Sequence, residues 1–250
     1  MEKRFFVEKD KIFGNTINLD GEEYIHLSKV LRLRVDDKVE CFYDNSDIFE
    51  CKVKSISKNN SELTVLSSYP CAQNPQLHIT LFQALPKLDK LEFVTQKLTE
   101  LGICRVVPFV SKFCIAKQNV NKIERLKKIV VSACKQCGRT KLVDIGDVLK
   151  LDKVVECLTD YDLVLFANEC EQTKSVSEVI SSFKNDLAQK TDKNNVKIAY
   201  IVGSEGGFDK DEIAKLSAVA KSVSLGKRIL RAETAAVTLG AIVCYEFGVI

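Results

Sequence analysis

The sequence is poor in the residues and runs that mark several classes of protein. It has only two histidines, His26 and His78, and a single CxxC pair, Cys134 and Cys137. A structural zinc site needs four such ligands, so no metal site is expected. The longest uncharged stretch near the carboxyl end, residues 235–245, is well short of the roughly 20 residues of a membrane span. No membrane segment, internal repeat or low-complexity tract is predicted.

The composition and the amino-terminal residues indicate a folded protein of the cytoplasm. The 250 residues, 46% of them hydrophobic, can bury one large core or two modest ones. Residues 1–8 carry charges on both sides of a short apolar patch and lack the apolar core of a secretion signal. The ten cysteines include members of apolar runs such as 39–42 and 242–245, which favours reduced, buried thiols.

Positive charge is concentrated in one block. The net charge is only +3, yet residues 71–141 carry 13 Lys and Arg against 4 Asp and Glu. Such a block is the expected footprint of a phosphate-binding surface. It is equally the pattern of a solvated, lysine-rich helix face, and charge alone does not choose between the two.

Residues 1–70 are predicted to form a small barrel around one helix. Strands are expected at 4–8, 38–44, 48–57 and 62–68. The helix opens at Asp20, which can form a capping box with Glu23. Its apolar contacts are expected from Ile25, Leu27, Val30 and Leu31.

Residues 71–76, with one proline and several small polar residues directly after Pro70, are predicted to link this domain to a second one, 77–250. Strand and helix patterns alternate in the second domain. Strands are expected at 77–85, 104–110, 161–168, 196–203 and 222–226, and helices at 89–101, 121–137, 209–220 and 233–247. This alternation favours an α/β fold with a parallel sheet covered on both faces.

Two glycine-containing turns follow strands of this sheet. The first contains Gly203, Ser204, Glu205, Gly206 and Gly207, and has neither dinucleotide-binding spacing nor the Lys-Ser/Thr of a P-loop. Because the carboxylate of Glu205 would repel a polyphosphate, the loop favours an uncharged or cationic ligand. A turn that serves only backbone geometry remains open.

The second turn runs from residue 224 to residue 236. Two turns at one edge of a sheet can enclose a ligand. Alternatively, Glu233 suits the first turn of a helix, and Arg228 and Arg231 form surface ion pairs worth little.

Residues 203–208 and 225–235 together resemble the RsmE family, the ribosomal RNA uracil-N3 methyltransferases of the SPOUT superfamily. Four further stretches fit in the same order: 26–32, 96–102, 136–139 and 166–169. The resemblance implies a PUA-like RNA-binding β-barrel followed by a parallel-sheet domain with a trefoil knot. It also implies a homodimer, S-adenosylmethionine as cofactor, and the 16S RNA of the small ribosomal subunit as substrate. Physical rules alone would not predict a knot.

The resemblance also implies the site residues. The cofactor is expected among Phe166, Glu169, Gly203, Glu205, Gly206, Gly207, Leu225, Gly226, Ile229, Leu230, Thr234 and Ala235. Arg139 is the candidate catalytic residue, since the family places this arginine at the target site and a guanidinium can grip phosphate or base oxygens. The candidate RNA-binding residues are Arg4, His26, Lys29, Arg32, Arg34, Lys122, Arg125, Lys128, Arg228 and Arg231. His26 also has a simpler reading as a structural histidine.

Two positions depart from the family pattern, which usually has proline in place of Ser204 and serine in place of Cys137. Without proline the loop is expected to be looser, and cofactor affinity is affected more than the type of reaction. Cys137 completes the CxxC pair, for which burial on a helix is favoured over a redox role.

Two other functions stay open at this point. A non-catalytic RNA-binding assembly factor would keep the basic block and the barrel but would not bind the cofactor. A nucleotide-dependent enzyme would use the glycine loop for phosphate, which Glu205 disfavours.

Overall fold

The structure is a computed structural model that describes residues 3–71, 77–87, 89–114, 120–189 and 195–250, without the side chains of 120–122. The chain forms two compact units. The first comprises residues 1–74 with 131–142, and the second comprises 75–130 with 143–250. Most of the expected linker lies outside the described residues. The return of 131–142 to the first unit was not predicted.

The first unit is built on a six-stranded sheet. Its strands are β1 (Arg4–Phe6), β2 (Ile12–Phe13), β3 (Thr16–Leu19), β4 (Lys38–Phe42), β5 (Ile48–Ile56) and β6 (Ser61–Tyr69). Their order is β1-β4-β5-β6-β3-β2, with β1 parallel to β4 and the other neighbours antiparallel. The sequence did not predict β2 and β3, because such short strands show no clear alternation of apolar and polar side chains. Within the described residues the pairing ends at β1 and β2, so it does not close into a complete barrel.

The helix of this unit differs from its prediction. α1 (Gly21–Ile25) continues as a π-helical turn, in which the N–H of Leu31 donates to the carbonyl of His26 at 2.9 Å. Leu27 is fully buried, whereas Ile25 is 46% and Val30 65% exposed. The expectation that all four apolar residues make core contacts is therefore wrong, because the wider turn rotates them off a common face.

The predicted capping box is wrong in its hydrogen bonds. Asp20 occupies the N-cap position, but its side chain accepts from Lys11 and makes no cap bond. Glu23 instead accepts from Lys135 Nζ at 2.7 and 2.8 Å through its two oxygens. The long-range ion pair between Glu23 and Lys135 thus replaces the local cap that the sequence spacing predicted.

His26 lies beside this ion pair. Its ring centroid is 5.6 Å from that of Phe5, and its Nδ1 is 3.4 Å from Lys135 Nζ. Burial, and then the positive charge of Lys135, lower the pKa of His26 below 6.5. The folded chain therefore takes up this proton less readily than the unfolded chain.

This shift predicts a pH effect on stability. The contribution of His26 is present above pH 6.5 and is lost as the pH falls through the folded pKa. Urea unfolding at about pH 7.5 and about pH 5.5 should show a larger loss of unfolding free energy for wild type than for His26→Gln. Glu23 also titrates, because burial raises its pKa, but both proteins share that effect. Equal losses in the two proteins would contradict the assignment.

The second unit contains a seven-stranded parallel sheet. Its strands are β7 (His78–Ala84), β8 (Arg105–Val110), β9 (Asp144–Ile145), β10 (Leu149–Lys150), β11 (Leu163–Ala167), β12 (Lys197–Val202) and β13 (Lys221–Val223). The order is β10-β8-β7-β12-β11-β13, and β9 also pairs with β8. The predicted parallel sheet is confirmed.

Helices cover both faces of this sheet. They are α2 (Lys90–Leu101), α3 (Val120–Cys137), whose last turns belong to the first unit, α4 (Leu151–Leu158), α5 (Val176–Ala188), α6 (Lys210–Val219) and α7 (Ala232–Glu246). α4 and α6 pack on one core around Phe82 and Phe166. α2 and α7 pack on the other side, where a Cβ at Gly240 would lie 2.6 Å from Tyr200 Oη and 2.8 Å from Leu98 Cδ2. This close approach requires glycine at that position.

The apolar composition of α7 has an explanation within the unit. Ala236, Leu239 and Val243 are fully buried, and the helix contacts α2, α5, β7 and β12. Tyr245, by contrast, is 73% exposed. Much of the apolar surface of α7 is thus covered by the chain itself, and the homodimer stays a prediction.

α4 and α5 were not predicted, although α5 carries a clear signal. Ser175 and Glu178 form a reciprocal capping box, with the Ser175 N–H donating to Glu178 at 2.9 Å and the Glu178 N–H donating back at 3.2 Å. This is the sequence pattern that marks a helix start. The polar side chains that follow Ser175 obscure the apolar periodicity of the helix, so it was not predicted.

All ten cysteines are free, and Cys134 is buried. Burial raises the pKa of Cys134 to about 12, so its thiol stays protonated at neutral pH, contrary to what a redox pair needs. Within the described ranges, no cluster of three or more His, Cys, Asp or Glu side chains could hold a metal ion. No helix in that part of the chain is long and apolar enough to cross a membrane.

Candidate active site

Three neighbouring strands of the second unit end at one edge of the sheet. β11 is parallel to both β12 and β13, so their carboxyl ends meet there. The loops that leave these ends, residues 168–175, 203–209 and 224–231, border a cleft of about 440 Å³. This volume is typical of a small-molecule site, and its position at the strand ends is where α/β sheets bind ligands.

The loop after β12 depends on its glycines. A Cβ at Gly203 would lie 2.9 Å from the ring of Phe208, which packs on Phe166 with centroids 5.3 Å apart. Gly207 has a φ of +65° and donates its N–H to the carbonyl of Ser204 at 3.0 Å. Side chains other than glycine rarely adopt that φ. This hydrogen bond closes the turn.

Glu205 is held by two groups from another part of the unit. Lys90 Nζ lies 2.9 Å from its Oε1, and the backbone N–H of Lys87 donates to both carboxylate oxygens at 3.1 and 3.3 Å. Burial alone would raise the pKa of Glu205, but the bonds from Lys90 and the backbone lower it below the ordinary value. Glu205 is therefore an ionised but already paired carboxylate.

The loop after β11 is fixed by Asn168. Its Nδ2 donates to Ser222 Oγ at 3.0 Å, its Oδ1 accepts from the N–H of Cys170 at 3.1 Å, and its N–H donates to Val223 at 3.2 Å. The neighbouring Glu169 is exposed, and its Oε1 would be 3.4 Å from a Cβ on Gly207. No ion pair of Glu169 occurs among the described residues, so its carboxylate faces the cleft unpaired.

The loop after β13 supplies the apolar wall. The N–H of Ser224 donates to the carbonyl of Lys174 at 2.9 Å, which ties this loop to the one after β11. Gly226 has a φ of +107°. Leu225 directly before it and Leu230 and Ala235 after it line the cleft wall. Ile229 also lines the cleft and is 83% exposed, so an apolar face is left open to a ligand.

Most of the expected cofactor residues line this cleft: Glu169, Gly203, Glu205, Gly207, Leu225, Gly226, Ile229, Leu230 and Ala235. Three do not. Phe166 is fully buried behind Phe208, and Gly206 packs against Phe113, whose Cβ would be 2.6 Å from a Cβ on Gly206. Thr234 is not among the lining residues. Phe166 and Gly206 therefore pack behind the loops and do not line the cleft.

Several lining residues were missed, among them Lys90, Asn168, Ser204 and Phe208. Asn168, Ser204 and Phe208 lie inside the motifs used for the prediction. Their position next to the predicted site residues could have identified them. Lys90 opens a helix in a different part of the chain, and no local pattern marks it.

The cleft fits S-adenosylmethionine in the chemistry of its lining. Apolar side chains on one wall suit an adenine ring, and the unpaired carboxylate of Glu169 suits positive charge. The hydroxyl of Ser204 lines the cleft and is 8% exposed, with no hydrogen-bond partner among the described residues. A buried hydroxyl of this kind is available to a ligand.

Arg139 lies in the first unit and is only 2% exposed. It follows Gly138, whose φ is +85°, at the end of α3. The next residue, Thr140, accepts from the N–H of Asn45 at 3.1 Å. In this conformation the guanidinium is closed to RNA, so the structure does not present Arg139 as the expected open contact.

The expected RNA contacts differ in their placement. Arg4 is 6% exposed and donates to Glu40, so its charge is paired inside the first unit. Arg228 and Arg231 line the cofactor cleft. The exposed candidates are Lys29, Arg32, Arg34, Arg125 and Lys128. His26 is half-buried, and the side chain of Lys122 lies outside the described residues.

Comparison with known proteins agrees with this architecture. An RNA methyltransferase domain model matches residues 72–244, and an RNA methyltransferase PUA domain model matches residues 19–66. Ribosomal RNA small subunit methyltransferase E of Rickettsia conorii is 33% identical over 245 residues, which cover 94% of this chain and 92% of that protein.

Solved structures show the same fold. A Legionella pneumophila protein named as a methyltransferase, solved with SAM bound as its cofactor, has a TM-score of 0.84 at 26% identity and covers 97% of this chain and 96% of its own. Ribosomal RNA small subunit methyltransferase E of Neisseria gonorrhoeae, solved with S-adenosyl methionine, has a TM-score of 0.81 at 25% identity, with 97% and 96% covered.

These matches run through both units and include the strand-end loops that border the cleft. An α/β unit of this kind, joined to a PUA unit, defines an RNA methyltransferase. Within that class, the chain belongs to the family of ribosomal RNA small subunit methyltransferase E.

Proposed function

We propose that this chain transfers the methyl group of S-adenosylmethionine to N3 of a uridine in the 16S RNA of the small ribosomal subunit. The observation that carries the proposal is the cleft at the ends of β11, β12 and β13, built from the glycine loops of a methyltransferase family. The bound cofactor supplies an already activated methyl group, so the reaction needs no metal. The protein contributes binding and orientation.

Different residues of the cleft would contribute to binding and orientation. Leu225, Leu230 and Ala235 would hold the apolar part of the cofactor. Glu169 is the open carboxylate, since Glu205 is paired with Lys90. It therefore serves better than Glu205 to compensate positive charge or to accept the imide proton of the uracil. Ser204 offers a hydrogen bond.

The RNA must present an unpaired or splayed uridine, because N3 lies on the pairing edge of the base. Exposed basic residues such as Arg32, Arg34 and Lys128 would contact phosphates, and affinity would then fall with salt. The trefoil knot, the homodimer and action in the cytoplasm, where ribosomal subunits are assembled, belong to the same proposal.

The direct test is transfer of labelled methyl to small subunits from cells that lack the activity, followed by mass spectrometry of the nucleosides. We expect N3-methyluridine. Label on another atom would overturn the N3 assignment, and no label in RNA would overturn the enzyme.

Ligand preference is a separate prediction. Calorimetry should detect S-adenosylhomocysteine binding, with ATP binding at least about a hundredfold weaker, because the glycine loop lacks the Lys-Ser/Thr of a P-loop that would hold a polyphosphate. A chain that binds neither would be a non-catalytic RNA-binding factor. Tighter binding of ATP would indicate a nucleotide-dependent enzyme.

A further inference from the structure

One ammonium group joins two segments that border the cofactor cleft. Lys90 is the first residue of α2, and its Nζ lies 2.9 Å from Glu205 Oε1 and 3.2 Å from Glu233 Oε2. Glu205 belongs to the loop after β12, and Glu233 to the first turn of α7. The ammonium therefore connects α2, this loop and α7 at a single point.

The three side chains are largely withdrawn from solvent. Lys90, Glu205 and Glu233 are 25%, 27% and 16% exposed. Ion pairs on an open surface contribute little because solvent screens them, but screening is weaker at this degree of burial. The backbone N–H of Lys87 adds a second link between the start of α2 and Glu205.

Without Lys90, two carboxylates would face each other at the edge of the cleft with no cation between them. Like charges at such a distance repel, and burial disfavours both. The repulsion would drive the loop after β12 away from the start of α7. Those two segments supply Gly203, Gly207 and Ala235 to the cleft lining, so its width depends on their spacing.

We propose that Lys90 is a positioning residue of the cofactor cleft, and that its ammonium sets the spacing between the loop after β12 and α7 that S-adenosylmethionine requires. The inference rests on the proposed function. Lys90 also lines the cleft itself, which places this control directly at the ligand.

The test compares the affinity of the full chain for S-adenosylhomocysteine, measured by calorimetry, among wild type and variants. Lys90→Met should bind at least about tenfold more weakly, and Lys90→Arg, which can bridge both carboxylates, should stay within about threefold of wild type. The matched control is Lys153→Met, which breaks an ion pair with Glu156 whose side chains are 66% and 61% exposed. It should not change affinity.

A further readout separates positioning from general damage. The double variant Lys90→Met with Glu205→Gln should bind more tightly than Lys90→Met alone, because the neutral amide no longer repels Glu233. A merely misfolded variant would show no such recovery.

The outcomes distinguish the two claims. If wild type fails to bind S-adenosylhomocysteine, the proposed function fails. If wild type binds and Lys90→Met binds equally well, or if Lys90→Met is weak without recovery in the double variant, the positioning role fails. Should Lys90→Met not fold, Lys90→Gln, with its polar head, takes its place under the same criteria.

Discussion

Replacing Gly207 with valine is expected to weaken binding of S-adenosylhomocysteine by at least about tenfold. Gly207 has a φ of +65°, where a side chain costs roughly 1–2 kcal/mol and a β-branched one more. Its N–H closes the turn onto Ser204 at 3.0 Å, and the added side chain would meet Glu169 Oε1. The turn would therefore open at the point where two cleft-lining loops meet. Calorimetry on the purified variant measures the loss.

The matched control is Gly14→Val in the first unit. Gly14 has a similar φ of +59°, and a Cβ there would meet nothing within 4 Å. In both variants valine must adopt a left-handed backbone conformation, but only Gly207 borders the cleft. Wild-type affinity in Gly207→Val, or an equal loss in Gly14→Val, would show that the loop after β12 does not form the ligand site.

Replacing Glu40 with alanine is expected to destabilise the first unit by about 3 kcal/mol. Glu40 accepts from Arg4 Nε at 2.8 Å and also from the hydroxyl of Tyr69, while Arg4 is only 6% exposed. Removing the carboxylate takes an ionic partner away from a buried guanidinium, which costs more than the pair itself contributes. Urea unfolding followed by circular dichroism measures the change in unfolding free energy.

The control for this variant is Glu62→Ala. Glu62 pairs with Lys54 at 2.7 Å, but their side chains are 34% and 56% exposed. Its loss should cost less than about 1 kcal/mol. If Glu40→Ala were as mild as this control, the Arg4–Glu40 pair would not help to stabilise the interior of the first unit.

Several parts of the fold and the site were predictable because their signals are local. Alternation of apolar strands and amphipathic helices indicated the parallel sheet, and Gly102, with a φ of +97°, ends α2 as expected. The glycine turn at 203–207 pointed to the strand-end cleft, since the carboxyl ends of parallel strands meet at one edge. Nine of the expected cofactor residues line it.

The sequence did not reveal the surroundings of several polar side chains. Glu23 pairs with Lys135 and does not form its predicted capping box, Arg4 pairs with Glu40, and Arg139 is buried. In each case the groups around the polar side chain come from segments that lie far apart in the sequence. Sequence spacing therefore does not predict these contacts. A charged residue has the same appearance in a sequence whether it faces solvent or a buried partner.

The sequence by itself determined the period of each long element, the glycines at left-handed positions and the family to which the strand-end motifs belong. Those properties depend on adjacent residues and on φ preferences that each residue carries with it. Only the tertiary structure decided which charges are paired. Glu205 is held by the backbone of Lys87, 118 positions away, and by Lys90 beside it, because the parallel sheet places the start of α2 next to the loop after β12. Electrostatic partners follow from distance in space, and the chain topology sets that distance.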